Sequence, residues 1–181
     1  YTDGGSALGN SPGLVGGGHT FSSIDAGGDL SCGVTTAGKG LCWGRNDFGQ
    51  VGNGGTANVG LPAEVAGGHT FTRISAGGLS VHVHACGITT AGTAYCWGRN
   101  VFGQLGSGNS GGQASSPVAV TGGYRFSSIS TGNAHTCGVT TDGLALCWGS
   151  GSEGRLGTGQ TNSRSSPAPV TMSAGGVFLR W

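Results

Sequence analysis

The feature of this sequence that most restricts its fold is a segment that occurs three times. Each copy has a cysteine, the pattern Gly-(Val/Ile)-Thr-Thr, a glycine, and a second cysteine followed directly by Trp-Gly. The copies recur about every 50 residues, and self-similarity at such a period is typical of repeat architectures. The three segments are residues 32–46, 86–100 and 137–149.

Shorter motifs recur at fixed places around each segment. A Phe-x-x-Ile motif precedes the segment, a glycine-rich motif with Val or Leu follows it, and a proline-containing stretch that ends in Val closes the unit. We therefore divide the chain before each Phe-x-x-Ile motif. The predicted units are repeats at 19–68, 69–123 and 124–174, with the tail of a preceding repeat at 1–18 and the start of a further one at 175–181.

Each unit has four stretches with the composition of short β-strands, separated by turn residues. No stretch has the 3.6-residue apolar period of a helix, and glycine, at 42 of 181 residues, is too frequent for helices. The predicted fold class is all-β, with propeller blades of four antiparallel strands. A propeller ring needs about four to eight blades. About three and a half repeats would therefore leave the ring incomplete unless more chain or other copies complete it.

The spacing Cys-x9-Cys predicts a disulfide-bonded hairpin in each repeat. Opposed cysteines on antiparallel strands are close enough to bridge, and this pairing leaves Thr36-Ala37-Gly38 as the loop, with glycine where the left-handed conformation is favoured. Reduced thiols and a zinc site are the alternatives, although the spacing lacks the tight paired ligands of structural zinc. The predicted disulfides are Cys32–Cys42, Cys86–Cys96 and Cys137–Cys147, and the predicted turn glycines are Gly38, Gly92 and Gly143.

Charge and hydropathy exclude several classes of partner. Eight basic and seven acidic residues give a formal charge of +1, so no basic stripe is present to neutralise the phosphates of a nucleic acid. No apolar run reaches the ~18–20 residues that span a bilayer. The chain starts at Tyr1 with no signal-peptide pattern, so we expect a mature form or a fragment. Three disulfides would require an oxidising compartment, so we expect an extracellular or cell-surface location.

The repeats resemble a known family. The segment 135–149, His-Thr-Cys-Gly-Val-Thr-Thr-Asp-Gly-Leu-Ala-Leu-Cys-Trp-Gly, resembles the repeat of the regulator of chromosome condensation family, and Phe102-Gly-Gln-Leu-Gly106 resembles the hallmark that follows it. The resemblance implies a β-propeller, commonly of seven blades, and the cysteine pairs are similar to its secreted, largely bacterial branch. Family members act in nucleotide exchange on a small GTPase, chromatin binding, light sensing and β-lactamase inhibition, so the fold does not decide the function.

The tryptophans and arginines of the repeat each have two interpretations. The tryptophans recur with the cysteines on core strands, so we expect them to pack between neighbouring blades and not to form an aromatic shelf for a ligand. The pairs Arg45-Asn46 and Arg99-Asn100 follow Trp-Gly in two repeats. They could form a binding rim, but we prefer a role in tying down adjacent turns. The predicted packing tryptophans are Trp43, Trp97 and Trp148.

The motif His82-Val-His84 lies in a connection that is longer than its equivalents in the other repeats. His-x-His on a strand places both imidazoles on one face, which suits a metal ion. However, His84 occupies the repeat position of His135, and no third ligand is evident. We therefore expect an extended loop with ordinary histidines and no metal site, with His82 and His84 as weak candidates. A calcium loop built from Asp25, Asp29 and Asp47 does not match the spacing of an EF-hand.

No arrangement in the sequence favours catalysis. There is no Gly-x-Ser-x-Gly elbow and no phosphate-binding loop, and residues that recur in every repeat are architectural, whereas catalysis needs unique, convergent groups. We therefore expect no enzyme and no cofactor. The Ser/Thr-rich loops are candidate sites for O-linked glycans.

Three functional hypotheses remain. The first is a non-enzymatic extracellular structural or interaction protein whose repeats assemble with further repeats, of its own chain or of other copies, as a closed oligomer or a filament. The second is a secreted protein-binding module such as an enzyme inhibitor. The third, which disulfides and near-zero charge disfavour, is a guanine-nucleotide exchange or chromatin-binding propeller.

Overall fold

A computed structural model describes residues 13–171 of the chain. These residues form three sheets of four antiparallel strands and no closed ring. The predicted all-β fold with four-stranded blades is thus confirmed. The predicted start of a further repeat at 175–181 lies outside the described residues, as does most of the predicted tail at 1–18. No helix within the described residues is long and apolar enough to cross a membrane.

The strands of each sheet follow one another in chain order. Blade 1 consists of β1 (Phe21–Gly27), β2 (Leu30–Thr35), β3 (Gly40–Gly44) and β4 (Val59–Glu64). Blade 2 consists of β5 (Phe71–Gly77), β6 (His84–Thr89), β7 (Ala94–Arg99) and β8 (Gln113–Ala119). Blade 3 consists of β9 (Phe126–Thr131), β10 (His135–Thr140), β11 (Ala145–Gly149) and β12 (Arg164–Pro169), with a short 3-10 turn at Ser152–Gly154.

The last strand of each sheet is an edge strand that contains a proline. Proline has no backbone N–H to donate, so sheets accept it mainly at edges and bulges. In blade 1 the register between β3 and β4 shifts between Cys42 and Gly44, so Pro62 lies where regular pairing is interrupted. The strand begins earlier than the proline motif alone indicates, at Val59, because residues before the bulge also pair with β3.

The hydrophobic core lies between the blades and not within one sheet. The first strand of each later sheet packs against the first two strands of the blade before it, since β5 contacts β1 and β2, and β9 contacts β5 and β6. One buried cluster joins blades 1 and 2 and a second joins blades 2 and 3. The first includes Leu30, Val34, Val51, Val65, Phe71, Ile74, Val83 and Trp97, and the second includes Ile88, Leu105, Val120, Phe126, Ile129, Leu146 and Trp148.

Candidate interaction surfaces

The six cysteines lie on the central hairpin of each blade and form three disulfides, Cys32–Cys42, Cys86–Cys96 and Cys137–Cys147. In each hairpin the two cysteines are directly opposite each other in the strand register. The loop that joins the strands carries a glycine in the left-handed region, with φ of +81° at Gly38, +81° at Gly92 and +89° at Gly143. An L side chain rarely adopts this conformation, so glycine suits the position.

The tryptophan of each later blade is bonded to a loop of the blade before it. The indole Nε1 of Trp97 donates a hydrogen bond to the carbonyl of Gln50 at 3.0 Å. In the same way, Trp148 donates to the carbonyl of Gln104 at 2.9 Å. Both indoles are fully buried, and a buried indole N–H needs such a partner. Trp43, at the start of the arc, is only half-buried.

Buried amide side chains shape the loops that receive these indoles. Asn46 is fully buried, and its Oδ1 accepts a hydrogen bond from the backbone N–H of Val51 at 2.8 Å. Asn100 accepts from Leu105 at 3.1 Å in the equivalent loop. Both asparagines belong to the Arg-Asn pairs that the sequence analysis considered for a binding rim or for a role in adjacent turns.

A second polar contact links the first strands of neighbouring blades. Asp25 Oδ2 accepts a hydrogen bond from the backbone N–H of Ala76 at 3.0 Å, and Ser75 Oγ accepts from Thr131 at 3.2 Å. The residue of blade 3 at this repeat position is Ser130. Its side chain forms no hydrogen bond within residues 13–171. The contact therefore repeats from blade to blade, and its third acceptor position, Ser130, faces no further blade within residues 13–171.

The first blade exposes side chains that the later blades bury. Ile24 is 52% exposed, whereas its equivalents Ile74 and Ile129 are 4% and 5% exposed. Phe21 and Trp43 are half-buried, although their equivalents in blades 2 and 3 are buried. We call the set Phe21, Ile24 and Trp43 the front face.

The last blade exposes the opposite side of its sheet. Val139 is 38% exposed, whereas its equivalents Val34 and Ile88 are 1% and 3% exposed. Val170 is 39% exposed, compared with 3% for Val65 at the same repeat position. We call the set Val139, Ala145 and Val170 the back face.

A concave space of about 520 Å³ lies along the first strands of the three sheets. It reaches from Ile24 of the front face to Val139 of the back face. Its charged lining residues are Asp25 and Arg73, and no histidine lines it among the described residues. The space therefore offers both polar and apolar contacts.

The two histidines of the His-x-His motif contact other side chains. His82 precedes β6, and its ring packs against Phe102 with 5.4 Å between ring centroids. His84 is fully buried at the start of β6, and its Nε2 lies 2.9 Å from Thr136 Oγ1. Burial lowers the pKa of His84 to about 4. The described residues hold no group of three or more His, Cys, Asp or Glu side chains placed to bind a metal ion.

Arg45 connects two loops of blade 1. Its Nε donates to Asp47 at 2.7 Å, its Nη1 lies 3.6 Å from Asp29, and the same nitrogen donates to the carbonyl of Ser80 at 3.2 Å. The hydrogen bond to Asp47 raises the pKa of Arg45. The carboxylates considered for a calcium loop are thus divided, because Asp29 and Asp47 face Arg45 and Asp25 contacts blade 2.

Arg99 has a different environment. Its guanidinium carbon lies 4.5 Å from the ring centroid of Phe48, a cation–π contact between blades 2 and 1. No carboxylate of the described residues lies within ion-pair distance of Arg99. Arg45 also lies over the Phe48 ring, at 5.7 Å, so the two arginines of the repeated Trp-Gly-Arg-Asn motif share this contact and differ in their ion pairs.

Solved structures share this arrangement of blades. Prp20p from Saccharomyces cerevisiae, described with its binding properties to Gsp1p and histones, has a TM-score of 0.75 at 23% identity, covering 86% of this chain and 39% of that chain. Human WBSCR16 has a TM-score of 0.76 at 22% identity, covering 90% and 43%. At these identities the likeness concerns the fold alone.

Among curated proteins, the Ultraviolet-B receptor UVR8 of Arabidopsis thaliana is 32% identical over 153 residues, which is 83% of this chain and 34% of the receptor. The human E3 ubiquitin-protein ligase HERC2 is 29% identical over 164 residues, which is 81% of this chain and 3% of the ligase. The chain thus spans about a third or less of the length of these relatives.

The repeat itself is recognised by two family models. One model of the Regulator of chromosome condensation (RCC1) repeat matches residues 38–81, 91–139 and 142–179. A second model of the same repeat matches residues 21–50 and 126–155. These matches extend over most of the sequence and agree with the resemblance of the Cys-Trp-Gly segments. The chain belongs to the regulator of chromosome condensation repeat family.

Proposed function

We propose that this chain is a non-enzymatic extracellular structural or interaction protein whose disulfide-stapled blades assemble with further blades, of its own protein or of other copies. The observation that carries the proposal is the exposure of the front and back faces. Ile24 and Val139 are 52% and 38% exposed at the two ends of the arc, and the same repeat positions are buried at both internal interfaces.

The front face and the back face should fit each other, because equivalent faces already pack together at the internal interfaces. At the interface of blades 1 and 2, the side of blade 1 that carries Val34 packs against the side of blade 2 that carries Phe71 and Ile74. The back face of blade 3 carries Val139 at the repeat position of Val34, so it should pack against a front face in the same way. Burial of each large aliphatic side chain contributes about 1.5–3 kcal/mol. A head-to-tail contact of this kind forms a ring where the rotation closes and a filament where it does not.

Polar groups at the back of blade 3 favour the same arrangement. Arg155 occupies the repeat position of Gln50 and Gln104, whose carbonyls accept the indole N–H of the next blade. The loop has the same backbone bonds, since Gly157 donates to Gly154 at 2.9 Å and Thr171 donates to Gly157 at 2.7 Å. We expect the Arg155 carbonyl to accept the indole of an incoming tryptophan.

The extracellular part of the proposal rests on the disulfides. Three disulfides in 181 residues are typical of proteins that fold in an oxidising compartment. Mass spectrometry of the protein purified from its native source without reductant tests this assignment. We expect no free thiol, and six free thiols would contradict it.

A second candidate function is a secreted protein-binding module, such as an enzyme inhibitor. Two exposed aliphatic side chains in the longer loop of blade 2, Leu79 and Val81, favour it. Protein binding is described for a relative of this fold, Prp20p. Chromatin binding and nucleotide exchange by this chain are disfavoured, since a formal charge of +1 offers little attraction for phosphates.

Complementary variants test assembly through the two faces. Ile24→Arg places a charge on the front face and leaves the back face intact, whereas Val139→Arg does the reverse. We expect each variant alone to be monomeric and an equimolar mixture to form a 1:1 complex, measured by light scattering after size-exclusion chromatography. Leu79→Arg is the control, because Leu79 is 64% exposed in the connection between β5 and β6 of the middle blade and belongs to neither face.

Three results would oppose the proposal. The first is a wild-type chain that remains monomeric, and the second is a pair of face variants that associate as the wild type does. The third is a control variant that loses association to the same degree. Circular dichroism of each variant establishes that it remains folded.

A further inference from the structure

The two residues before the first cysteine of each blade change their chemistry from repeat to repeat. They are Leu30-Ser31 in blade 1, His84-Ala85 in blade 2 and His135-Thr136 in blade 3. Adjacent residues of a strand point to opposite sides of the sheet. The first residue of each pair therefore points to the following blade, as His84 does, and the second points to the preceding blade, as Thr136 does.

The two internal interfaces use different matched pairs at this position. Between blades 1 and 2, Leu30 and Ala85 belong to one buried apolar cluster and are 1% and 0% exposed. Between blades 2 and 3, the fully buried His84 has its Nε2 2.9 Å from Thr136 Oγ1. Leucine is thus matched with alanine, and histidine with a hydroxyl. Because a buried polar group without a partner is costly, an exchange of partners between the two interfaces would be unfavourable.

The two ends of the arc carry the remaining halves of such a pair. His135, on the same side of β10 as Val139, is half-buried, and its Nδ1 is buried without a hydrogen-bond partner among the described residues. Ser31 lies directly opposite Trp43 of the front face in the strand register. It is half-buried, and its hydroxyl forms no hydrogen bond within residues 13–171. One end therefore presents a histidine and the other a hydroxyl.

A glycine close to His135 leaves space for the backbone of a further blade. At the equivalent position of blade 1, a Cβ on Gly27 would lie 2.9 Å from the carbonyl carbon of Ala76 in blade 2. A Cβ on Gly77 would meet the backbone of blade 3 in the same way. Within residues 13–171 no strand approaches Gly132, and the His135 ring lies there instead, with its Nε2 3.0 Å from an added Cβ.

We propose that blade 1 of a second copy of this chain is the partner of the back of blade 3, and that a hydrogen bond between His135 and Ser31 selects it. The inference rests on the assembly proposed above and names its partner. On docking, the His135 ring leaves Gly132, where the backbone of β1 takes its place, and adopts the orientation of His84. A blade with alanine at the position of Ser31 would leave the buried imidazole without a partner.

The 1:1 complex of Ile24→Arg with Val139→Arg isolates this contact, because only one back face and one front face are free in it. His135→Leu is introduced into the first protein and Ser31→Ala into the second. The Kd of all four combinations is measured by isothermal titration calorimetry. Ser31→Ala alone should weaken binding roughly tenfold, because it leaves the imidazole unpaired. His135→Leu alone should also weaken binding, because it buries the hydroxyl against leucine.

The two substitutions together reproduce the pair Leu30 and Ala85 of the first internal interface. We therefore expect binding to return to within about threefold of the unsubstituted complex, as in a double-mutant cycle of coupled residues. Recovery of this kind distinguishes a matched pair from two residues that each contribute to packing alone.

Two further variants serve as controls. Ser31→Thr places in blade 1 the residue that lies against His84 in blade 3, and should leave the Kd unchanged. Ser116→Ala makes the alanine substitution at an exposed position of the middle blade and should also leave it unchanged. The residues introduced at positions 31 and 135 occur naturally at the equivalent positions of other blades. Urea unfolding midpoints identify any variant that is not folded.

The outcomes separate this inference from the proposed assembly. If the complex forms but Ser31→Ala leaves its Kd unchanged, the inference fails and the assembly through the two faces stands. The inference also fails if the combined substitutions bind no more tightly than Ser31→Ala alone, or if Ser116→Ala weakens binding as much. If Ile24→Arg and Val139→Arg do not associate at all, the assembly and the inference fail together.

Discussion

The imidazole Nε2 of His84 lies 2.9 Å from the hydroxyl oxygen of Thr136, a contact that crosses from blade 2 to blade 3. His84 is fully buried, and Thr136 also donates to the carbonyl of Gln104 at 2.9 Å. The same carbonyl accepts the indole of Trp148. A titratable group is thus enclosed in the polar network that joins two blades.

Stability should depend on pH through His84. Its pKa is about 4 in the folded chain, compared with an ordinary value of 6.5. Because the unfolded chain takes up the proton first, the stabilisation is fully present above pH 6.5 and is lost as the pH falls toward 4. We expect a loss of about 3 kcal/mol over that interval.

The contribution of His84 is isolated by comparing the wild type with His84→Gln. The free energy of unfolding in urea is measured at several pH values across the interval. The variant should show a smaller fall between neutral and acidic pH, since its side chain does not titrate. Parallel curves for the two proteins would mean that His84 is not the group responsible.

The buried indole bonds predict unequal costs for the same substitution. Trp97→Phe leaves the carbonyl of Gln50 without its donor and creates a void between blades 1 and 2, so we expect a loss of about 2–4 kcal/mol. Trp43→Phe should cost less, because Trp43 is only half-buried. Chemical unfolding measures both free energies of unfolding. Equal losses would show that the hydrogen bond between Trp97 and Gln50 does not contribute to the free energy of unfolding.

The glycine beneath each indole gives a second comparison. Gly106 and Gly112 have nearly the same backbone conformation, with φ of +68° and +69°. A Cβ at Gly106 would lie 2.7 Å from Nε1 of Trp148, whereas a Cβ at Gly112 would meet nothing within 4 Å. In both alanine variants the free energy of unfolding should fall by roughly 1–2 kcal/mol, because alanine is disfavoured in the left-handed conformation.

Gly106→Ala should lose more than Gly112→Ala, because only the first moves Trp148 away from blade 2. Thermal unfolding followed by tryptophan fluorescence measures the difference. If the two variants unfolded at the same temperature, the close approach of loop and indole would be unimportant for stability.

The three disulfides should not contribute equally. Closing a loop of this length contributes about 2–3 kcal/mol in the chain-entropy description. Both sulfurs of Cys86–Cys96 are fully buried between blades 2 and 3, whereas Cys137 lies half-exposed at the end of the arc. Replacement of Cys86 and Cys96 by alanine should therefore cost more than the same replacement of Cys137 and Cys147, because it also removes buried contacts.

Urea unfolding of the two double variants under oxidising conditions measures this difference. The same experiment on the wild type with reductant should lower the free energy of unfolding further than either variant does. A larger loss for the Cys137–Cys147 replacement would contradict the expectation that the buried Cys86–Cys96 disulfide contributes more to stability.

Much of the local structure follows from the sequence because it depends on neighbours along the chain. The opposed cysteines and the short loop fix one register, in which Gly33 faces Leu41 and Val34 faces Gly40. The left-handed glycine at the loop follows from the same spacing, since only a few turn types join strands at that separation.

The contacts between blades could not be derived from local pattern. Gln50 and Trp97 lie in different repeats, and only the twist and stacking of two sheets bring them together. The sequence pattern does not reveal the environment of His84 for the same reason, because its partner Thr136 belongs to the next repeat. Recurrence of a residue indicates that a position matters, but it does not identify the partner.

The mass of the unmodified 181-residue chain in native solution shows whether the exposed blade faces associate. Because the front and back faces expose side chains that both internal interfaces bury, we expect oligomers whose masses are multiples of 17.6 kDa and that grow with protein concentration. A stable, monodisperse 17.6 kDa monomer at all concentrations would contradict it.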